Sequence, residues 1–266
     1  MLARFFKKPP RSPLNPDGRI RSAFLVCTTH RSGSSLFCEG LKDAGWGNPN
    51  EYFDDTLLAV WREKWSLPAS ADALTYLREM IARQTSREGV FGAKLMWHQT
   101  GLLRQMLQPV LAPDRPQARL AELLSAAFPG VRYFWLRRHD QTAQAISLAR
   151  AQQTGRWHSV DTKGWVGVAP VAKEEHFDFT QIDSIRGNLI EWDQQWGDFF
   201  KTPELPVQTL VYEEFTARYE QTIREALAFL GRKDGATCPI AAPRHEKLAD
   251  ATSLAWKERF LAEKAE

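Results

Sequence analysis

FLVCTTHRSGSSLFCEGLKDAGWGNPNEYF, residues 24–53, decides the fold of this 266-residue chain. Residues 23–27 are an apolar run of strand length that gives way abruptly to Thr28-Thr29-His30-Arg31-Ser32-Gly33-Ser34-Ser35. Leu36, Phe37, Gly40, Leu41 and Ala44 then recur at helical spacing, and Gly45 sits where a helix stops. A strand that feeds a Ser/Gly loop opening a helix is an anion site by construction. The first-turn N–H groups have no intrahelical partner, the helix dipole is positive there, and Gly33 lets a phosphate approach the main chain. Beyond the helix, the turn Asn48-Pro49-Asn50-Glu51-Tyr52 carries a lone carboxylate, which the preceding helix would place.

Outward from this unit, strands and helices alternate. Residues 1–22, with four prolines, read as an irregular N-terminal arm, and residues 23–266 as a single α/β domain. Helices are expected over 54–65 and 71–83, then a second strand over 89–95 that ends at Met96-Trp97-His98-Gln99. The three prolines of 108–117 predict a loop. A helix over 118–128 precedes a third strand, 131–136, which ends in Arg137-Arg138-His139-Asp140 and feeds a helix over 141–153. Periodicity fades over 156–179. The stripe Ile182, Ile185, Leu189, Trp192, Trp196, Phe199 marks a long amphipathic helix over 181–201. A fourth strand (207–211) and a helix over 214–230 follow. The expected fold is therefore a P-loop-like three-layer sandwich, a central parallel sheet of four or five strands flanked by helices. Three strand ends carry polar, anion-binding groups, and in such sheets ligands bind at the carboxyl ends of the strands.

Composition narrows the function classes. A net charge of +3 suits an anionic ligand and is too weak to argue for nucleic acid, since no basic run interleaves with aromatics. Three cysteines without metal-type spacing, and no histidine pair at metal spacing, give no metal site. Buried thiols and the lack of a signal-length apolar segment point to the cytoplasm. The loop departs from the nucleotide-triphosphatase signature, because the Lys after the last Gly and the preceding Gly are both missing. Arg31 supplies a cation from inside the loop instead.

HRSGSSLFCEGL resembles the 5′-phosphosulfate loop of sulfotransferases. With GNPNEYF, FGAKLMW, LRRHDQTAQAISLARAQQTGRW and RHEKLADATSLAWKERF, the chain from about residue 23 to 260 is similar to the bacterial branch that sulfates trehalose and lipopolysaccharide-type acceptors. The resemblance implies 3′-phosphoadenosine 5′-phosphosulfate (PAPS) as donor, without a metal. It assigns Arg31, Ser32, Gly33, Ser34 and Ser35 to the 5′-phosphosulfate, and Arg138 and Ser147 to the 3′-phosphate, with Arg137 as the alternative arginine. Glu51 matches the family's catalytic base, and Arg31 or Lys94 supplies the cation at the leaving oxygen. His30 and the segment Gly47, Asn48, Pro49, Asn50, Tyr52, Phe53 match positions that touch the acceptor, a carbohydrate or glycolipid. The family more often has Gln where this chain has His30 and Asn50. Trp157, His158 and Trp165 would wall the acceptor, since aromatic faces pack on sugar C–H surfaces.

Plainer readings stand beside these. Lys94 alone is an exposed strand-end lysine, and His98 and His139 are structural or solvated. The Ile182-to-Phe199 stripe is core, with its two Trp as an alternative surface for a homodimer. Two other functions share the same loop: a P-loop-like kinase, and a non-catalytic nucleotide- or glycan-binding protein.

Overall fold

β1 (Ser22–Thr28) is the strand on which the sheet is built, because it has a neighbour on each side. In the computed structural model, which describes residues 12–157, 174–235, 237–244 and 250–265, it pairs in parallel with β2 (Val90–Met96) and with β3 (Arg132–Arg137). β4 (Val207–Val211) adds to β3, giving the all-parallel order β2-β1-β3-β4. After β2 the chain crosses to the far side of β1, so the strand order reverses there. Such a reversal opens a crevice at the carboxyl ends of the strands.

The β1 side chains alternate between two cores, as the period of a strand requires. Ala23, Leu25 and Cys27 face a cluster built on α2 (Leu58–Lys64), α3 (Ala73–Gln84), α4 (Thr100–Leu111) and α5 (Leu120–Ala127). Phe24 and Val26 face α1 (Ser34–Asp43), α8 (Tyr212–Ala217) and α9 (Tyr219–Phe229). The sheet with these two covers is the three-layer sandwich. α6 (Gln141–Thr154), α7 (Phe179–Phe200) and α10 (Ala251–Ala265) pack a third cluster around Ile146, Ile182 and Phe260. No helix among the described residues is long and apolar enough to cross a membrane.

Three local expectations change. The proline-rich stretch does not begin as a loop, because α4 runs through Pro109 to Leu111. Val110 and Leu111 pack on the core there, and that burial outweighs the one backbone bond a proline removes. The helix expected over 214–230 starts directly at Tyr212 and breaks at Arg218. The break lets two separate contacts form with α1. Tyr212 lies over Gly33, and Tyr219 with Ile223 lies over Gly40, where an added Cβ would come within 3 Å of both side chains. Finally, the arm is partly in the core: Leu14 and Ile20 are buried, and the Asn15 side chain bonds both the N–H and the carbonyl of Ile20. Residues 1–11 of the arm, His158 and Trp165 of the expected acceptor wall, and residues 245–249 of the tail motif lie outside the described residues.

Trp196 is fully buried and donates to the Thr28 carbonyl at 2.9 Å, so it offers no surface to a second copy. Trp192, four residues earlier, stands beside the carboxyl end of the sheet.

Candidate active site

The loop after β1 is held from both sides. Thr28 Oγ1 lies 2.8 Å from the Leu136 carbonyl and 2.5 Å from Ser32 Oγ, so the Ser32 hydroxyl is a buried brace. From α6, Gln144 Nε2 donates to Thr29 Oγ1 at 2.9 Å and to the His30 carbonyl at 2.6 Å. Arg31 adopts φ +59°, unusual for a residue with a side chain, and Gly33 adopts φ +83°. A Cβ at Gly33 would stand 2.5 Å from the Tyr212 ring, so both backbone angle and space demand glycine. No side chain caps α1, and its first-turn N–H groups carry the positive end of the helix dipole.

One half of the site forms where this loop meets the end of β3. Arg31 Nε donates to Ser147 Oγ of α6 at 2.9 Å, and its Nη1 to the Trp157 carbonyl at 2.5 Å. Arg138 reaches back to the Arg31 carbonyl at 3.0 Å, with its guanidinium carbon 4.7 Å from the centre of the Tyr212 ring. Its nearest carboxylate among the described ion pairs is Glu213, at 3.9 Å, and its buried Nε has no hydrogen-bond partner. Burial, and then the charge of Arg138, push the Arg31 guanidinium down to about 10. Two half-buried guanidiniums that repel each other, one with an Nε that lacks a hydrogen-bond partner, beside the Ser147 hydroxyl, fit a multiply charged anion. Arg137 points elsewhere: it is doubly bonded to Asp193 of α7, with Nη2 to Oδ2 at 2.6 Å, and stacks on Trp135. Of the two arginines, the structure brings Arg138 to the loop.

The other half forms at the end of β2. The Lys94 N–H donates to the Asn50 carbonyl at 2.9 Å, Trp61 Nε1 to the Glu51 carbonyl at 2.9 Å, and the Tyr76 hydroxyl to the Tyr52 carbonyl at 2.6 Å. These bonds, and not α1, fix Glu51. Its Oε1 pairs with Lys94 Nζ at 2.7 Å, and Lys94 Nζ also lies 3.4 Å from Ser35 Oγ in the first turn of α1. Lys94 is thus buried between Glu51 and the loop after β1, where sequence alone made it an exposed strand-end residue. Gln99 Nε2 donates to Glu51 Oε2 at 2.8 Å and to Asp54 Oδ2 at 2.9 Å. Burial pushes the Glu51 carboxyl up, but Lys94, His30 and Gln99 together outweigh it and hold it below the usual carboxylate range.

His30 stacks on His98, ring centroids 5.0 Å apart, and Trp192 flanks both at 6.2 and 5.3 Å. Trp157 lies 6.4 Å from His30. This is an aromatic wall beside Glu51, and of the expected wall Trp157 stands in it, while His158 and Trp165 lie outside the described residues. Burial drives the His30 imidazole down to about 4, and its Nδ1 is buried without a partner. The neutral ring is therefore favoured in the folded state. Between pH 6.5 and about 4 the unfolded chain binds a proton that the folded chain refuses. Stability is full above that window and falls through it by up to about 3 kcal/mol. His30→Gln should flatten this part of a melting-temperature-against-pH curve; an unchanged slope would assign the effect to other groups.

The rest of the 47–53 segment supports Glu51 from within the core. Tyr52 and Phe53 are fully buried, Pro49 and Asn50 are buried, and Gly47 packs against the Phe24 ring. The Asn48 amide and the Tyr52 hydroxyl both bond to Gln84. Sequence reasoning missed Gln99, Asp54 and Trp192. The first two flank recognised segments and carried no pattern, and Trp192 lay inside a stripe that reads as core.

Comparison with known proteins adds a family. The model of the Stf0 sulphotransferase family matches residues 23–263. Two proteins described as trehalose 2-sulfotransferase are similar to this chain. The one from Mycobacterium tuberculosis is 26% identical over 265 residues, and the one from Mycolicibacterium smegmatis is 25% identical over 269; each alignment covers 90% of this chain and 94% of the relative. Among solved structures, a sulfotransferase from Alicyclobacillus acidocaldarius aligns with a TM-score of 0.45 and 14% identity, over 91% of this chain and 96% of the other.

Proposed function

Since the chain belongs to the Stf0 sulphotransferase family, we propose that it moves a sulfuryl group from PAPS to a hydroxyl of a carbohydrate acceptor, with Glu51 as the base. The observation that carries this reading is the Ser35–Lys94–Glu51 relay, which sets a half-buried carboxylate one cation away from an uncapped helix start. The α1 N–H groups with Ser34 and Ser35 would hold the 5′-phosphosulfate, and Arg138, Ser147 and Arg31 the 3′-phosphate. The orphaned Arg138 Nε is the sign that an anion fits there.

The donor supplies an activated sulfuryl group whose bond to the phosphate oxygen breaks as the acceptor oxygen bonds to sulfur. Glu51 cannot ionise a sugar hydroxyl in the ground state; it accepts the proton as the new bond makes that proton acidic. Lys94 and the start of α1 meet the charge that appears on the phosphate oxygen. Lys94, not Arg31, is the cation beside Glu51. The aromatic faces of Trp192 and Trp157 beside His30 suit the C–H face of a sugar. The relatives' names make trehalose the first acceptor to try, and a glycolipid the second. Three free, buried cysteines suit a reducing cytoplasm.

The competing kinase reading separates cleanly by ligand stabilisation. Adenosine 3′,5′-bisphosphate at about 100 times its Kd should add roughly 2.7 kcal/mol and raise the melting temperature by about 5 °C or more. Stabilisation by ATP with Mg²⁺ and none by the bisphosphate would replace sulfuryl transfer with phosphoryl transfer.

A further inference from the structure

We propose that Gln99 is a positioning residue for Glu51: its amide ties the base to Asp54 and to the end of β2, and keeps the carboxylate aimed when Lys94 turns to the donor. The inference rests on the sulfotransferase reading above.

The side chain is buried and all of its bonding capacity is directed. Gln99 Oε1 accepts from the Met96 N–H at 3.0 Å, which fixes which way round the amide lies. Its Nε2 hydrogens are then both donated to carboxylates, Glu51 at 2.8 Å and Asp54 at 2.9 Å. Asp54 is anchored in turn by the Thr56 N–H at 2.9 Å. Glu51 therefore has a different donor on each oxygen, Lys94 on Oε1 and Gln99 on Oε2, and the plane of the carboxylate is set by the two together.

Those two donors differ in what an anionic donor substrate does to them. Lys94 Nζ, already 3.4 Å from Ser35 Oγ, is attracted by a phosphosulfate at the start of α1. A neutral amide held by a backbone N–H is not. As Lys94 shifts, Gln99 becomes the bond that keeps Glu51 from swinging, and a misplacement of about 1 Å in a reacting group costs about 10²-fold. Neutrality matters as well, because a second cation at this position would lower the basicity of Glu51 further. The charged and titratable groups around Glu51 are Lys94 on β2, His30 on the donor loop, Asp54 and His98 flanking Gln99, and Cys38 on α1.

The test uses Gln99→Leu, which removes the bridge, and Gln99→Glu, which keeps the shape and replaces the donor with a carboxyl. The Glu51 carboxyl is titrated by ¹³C NMR, assigned by its absence in Glu51→Gln, and sulfuryl transfer from labelled PAPS to trehalose or a glycan panel is followed against pH. Removing a hydrogen bond to the ionised form raises a carboxyl, so Gln99→Leu should move the Glu51 midpoint up by about one pH unit, and Gln99→Glu by more. Turnover should fall about 10- to 100-fold in both, with the KM for PAPS and the affinity for adenosine 3′,5′-bisphosphate held within about twofold. An unmoved midpoint in a folded variant overturns the proposal, as does a moved midpoint with unchanged turnover. The titration needs neither donor nor acceptor. An unsubstituted protein that transfers no sulfuryl group therefore defeats the functional reading, and is distinguished from a failed bridge.

Discussion

Replacing Glu51 with Gln is expected to cut sulfuryl transfer by about 10³-fold while leaving the affinity for adenosine 3′,5′-bisphosphate within about twofold. The substitution keeps the shape of the side chain and removes the only function the mechanism asks of it, acceptance of the acceptor's proton. Nothing in the bisphosphate half depends on it: Arg138, Arg31 and Ser147 are tied to one another and to Tyr212 and Trp157, not to the Glu51 segment. Lys94 loses its carboxylate partner in this variant and gains freedom to follow the donor, so any change in donor affinity should be upward. The loss should therefore fall in kcat and not in KM, the signature of an interaction made in the transition state. pH supplies a second readout. The Glu51 carboxyl lies below the usual range, so activity should persist as pH falls through the ordinary carboxylate region and fade only below it. The same sign holds for stability, which this group supports above its ordinary value of 4.5 and withdraws as pH drops through its lower folded value. Turnover of Glu51→Gln equal to that of the parent would remove Glu51 from the mechanism.

The loop after β1 was legible in the sequence because everything that makes it is local. A buried strand, a polar Ser/Gly run and a helix start occupy 22 consecutive residues, from Ser22 to Asp43, and the loop's left-handed Gly33 falls where the pattern needs it. The four strands and most helices were legible for the same reason. What was not legible depends on contacts between distant segments. Lys94 looks exposed until the Asn50 carbonyl is known to bond its N–H, 44 residues away, and to bring a carboxylate against its side chain. Gln99 is one glutamine among many until Glu51 and Asp54 arrive on either side of it. Trp192 and Trp196 share one helical stripe, yet Trp196 bonds the Thr28 carbonyl inside the core and Trp192 meets the two histidines at its edge. Periodicity gives the face of a helix and not what the far end of that face touches. The segment 47–53 shows the complementary limit. The resemblance gave its residues to the acceptor, while their burial makes most of them the scaffold of one half-buried carboxylate. Pro109 and the break at Arg218 were unreadable because packing decided both.

Arg138→Ala is expected to weaken adenosine 3′,5′-bisphosphate by about 10²- to 10³-fold, the cost of truncating one partner of a desolvated charge pair. For a nucleotide lacking the 3′-phosphate, such as AMP, the loss should stay within about threefold. The asymmetry follows from position. Arg138 stands at the end of β3, bonded to the Arg31 carbonyl beside Ser147, at the far end of the loop from Ser35 and Lys94. Stability should respond in the opposite sense to affinity. A guanidinium in a structural ion pair stabilises the fold, and Arg137→Ala, which breaks the close Asp193 pair, should lower the melting temperature without touching the bisphosphate. Arg138 instead lies 3.9 Å from Glu213 and repels Arg31, whose value is depressed first by burial and then by that repulsion. Its removal relieves the repulsion and forfeits the bond to the Arg31 carbonyl, two effects that oppose each other, so the ligand-free melting temperature should stay level or rise slightly. A binding site that strains the empty protein and is relaxed by its ligand has this pattern; a structural arginine does not. Equal losses for bisphosphate and AMP, or a melting temperature that falls as far as in Arg137→Ala, would return Arg138 to a role in the fold.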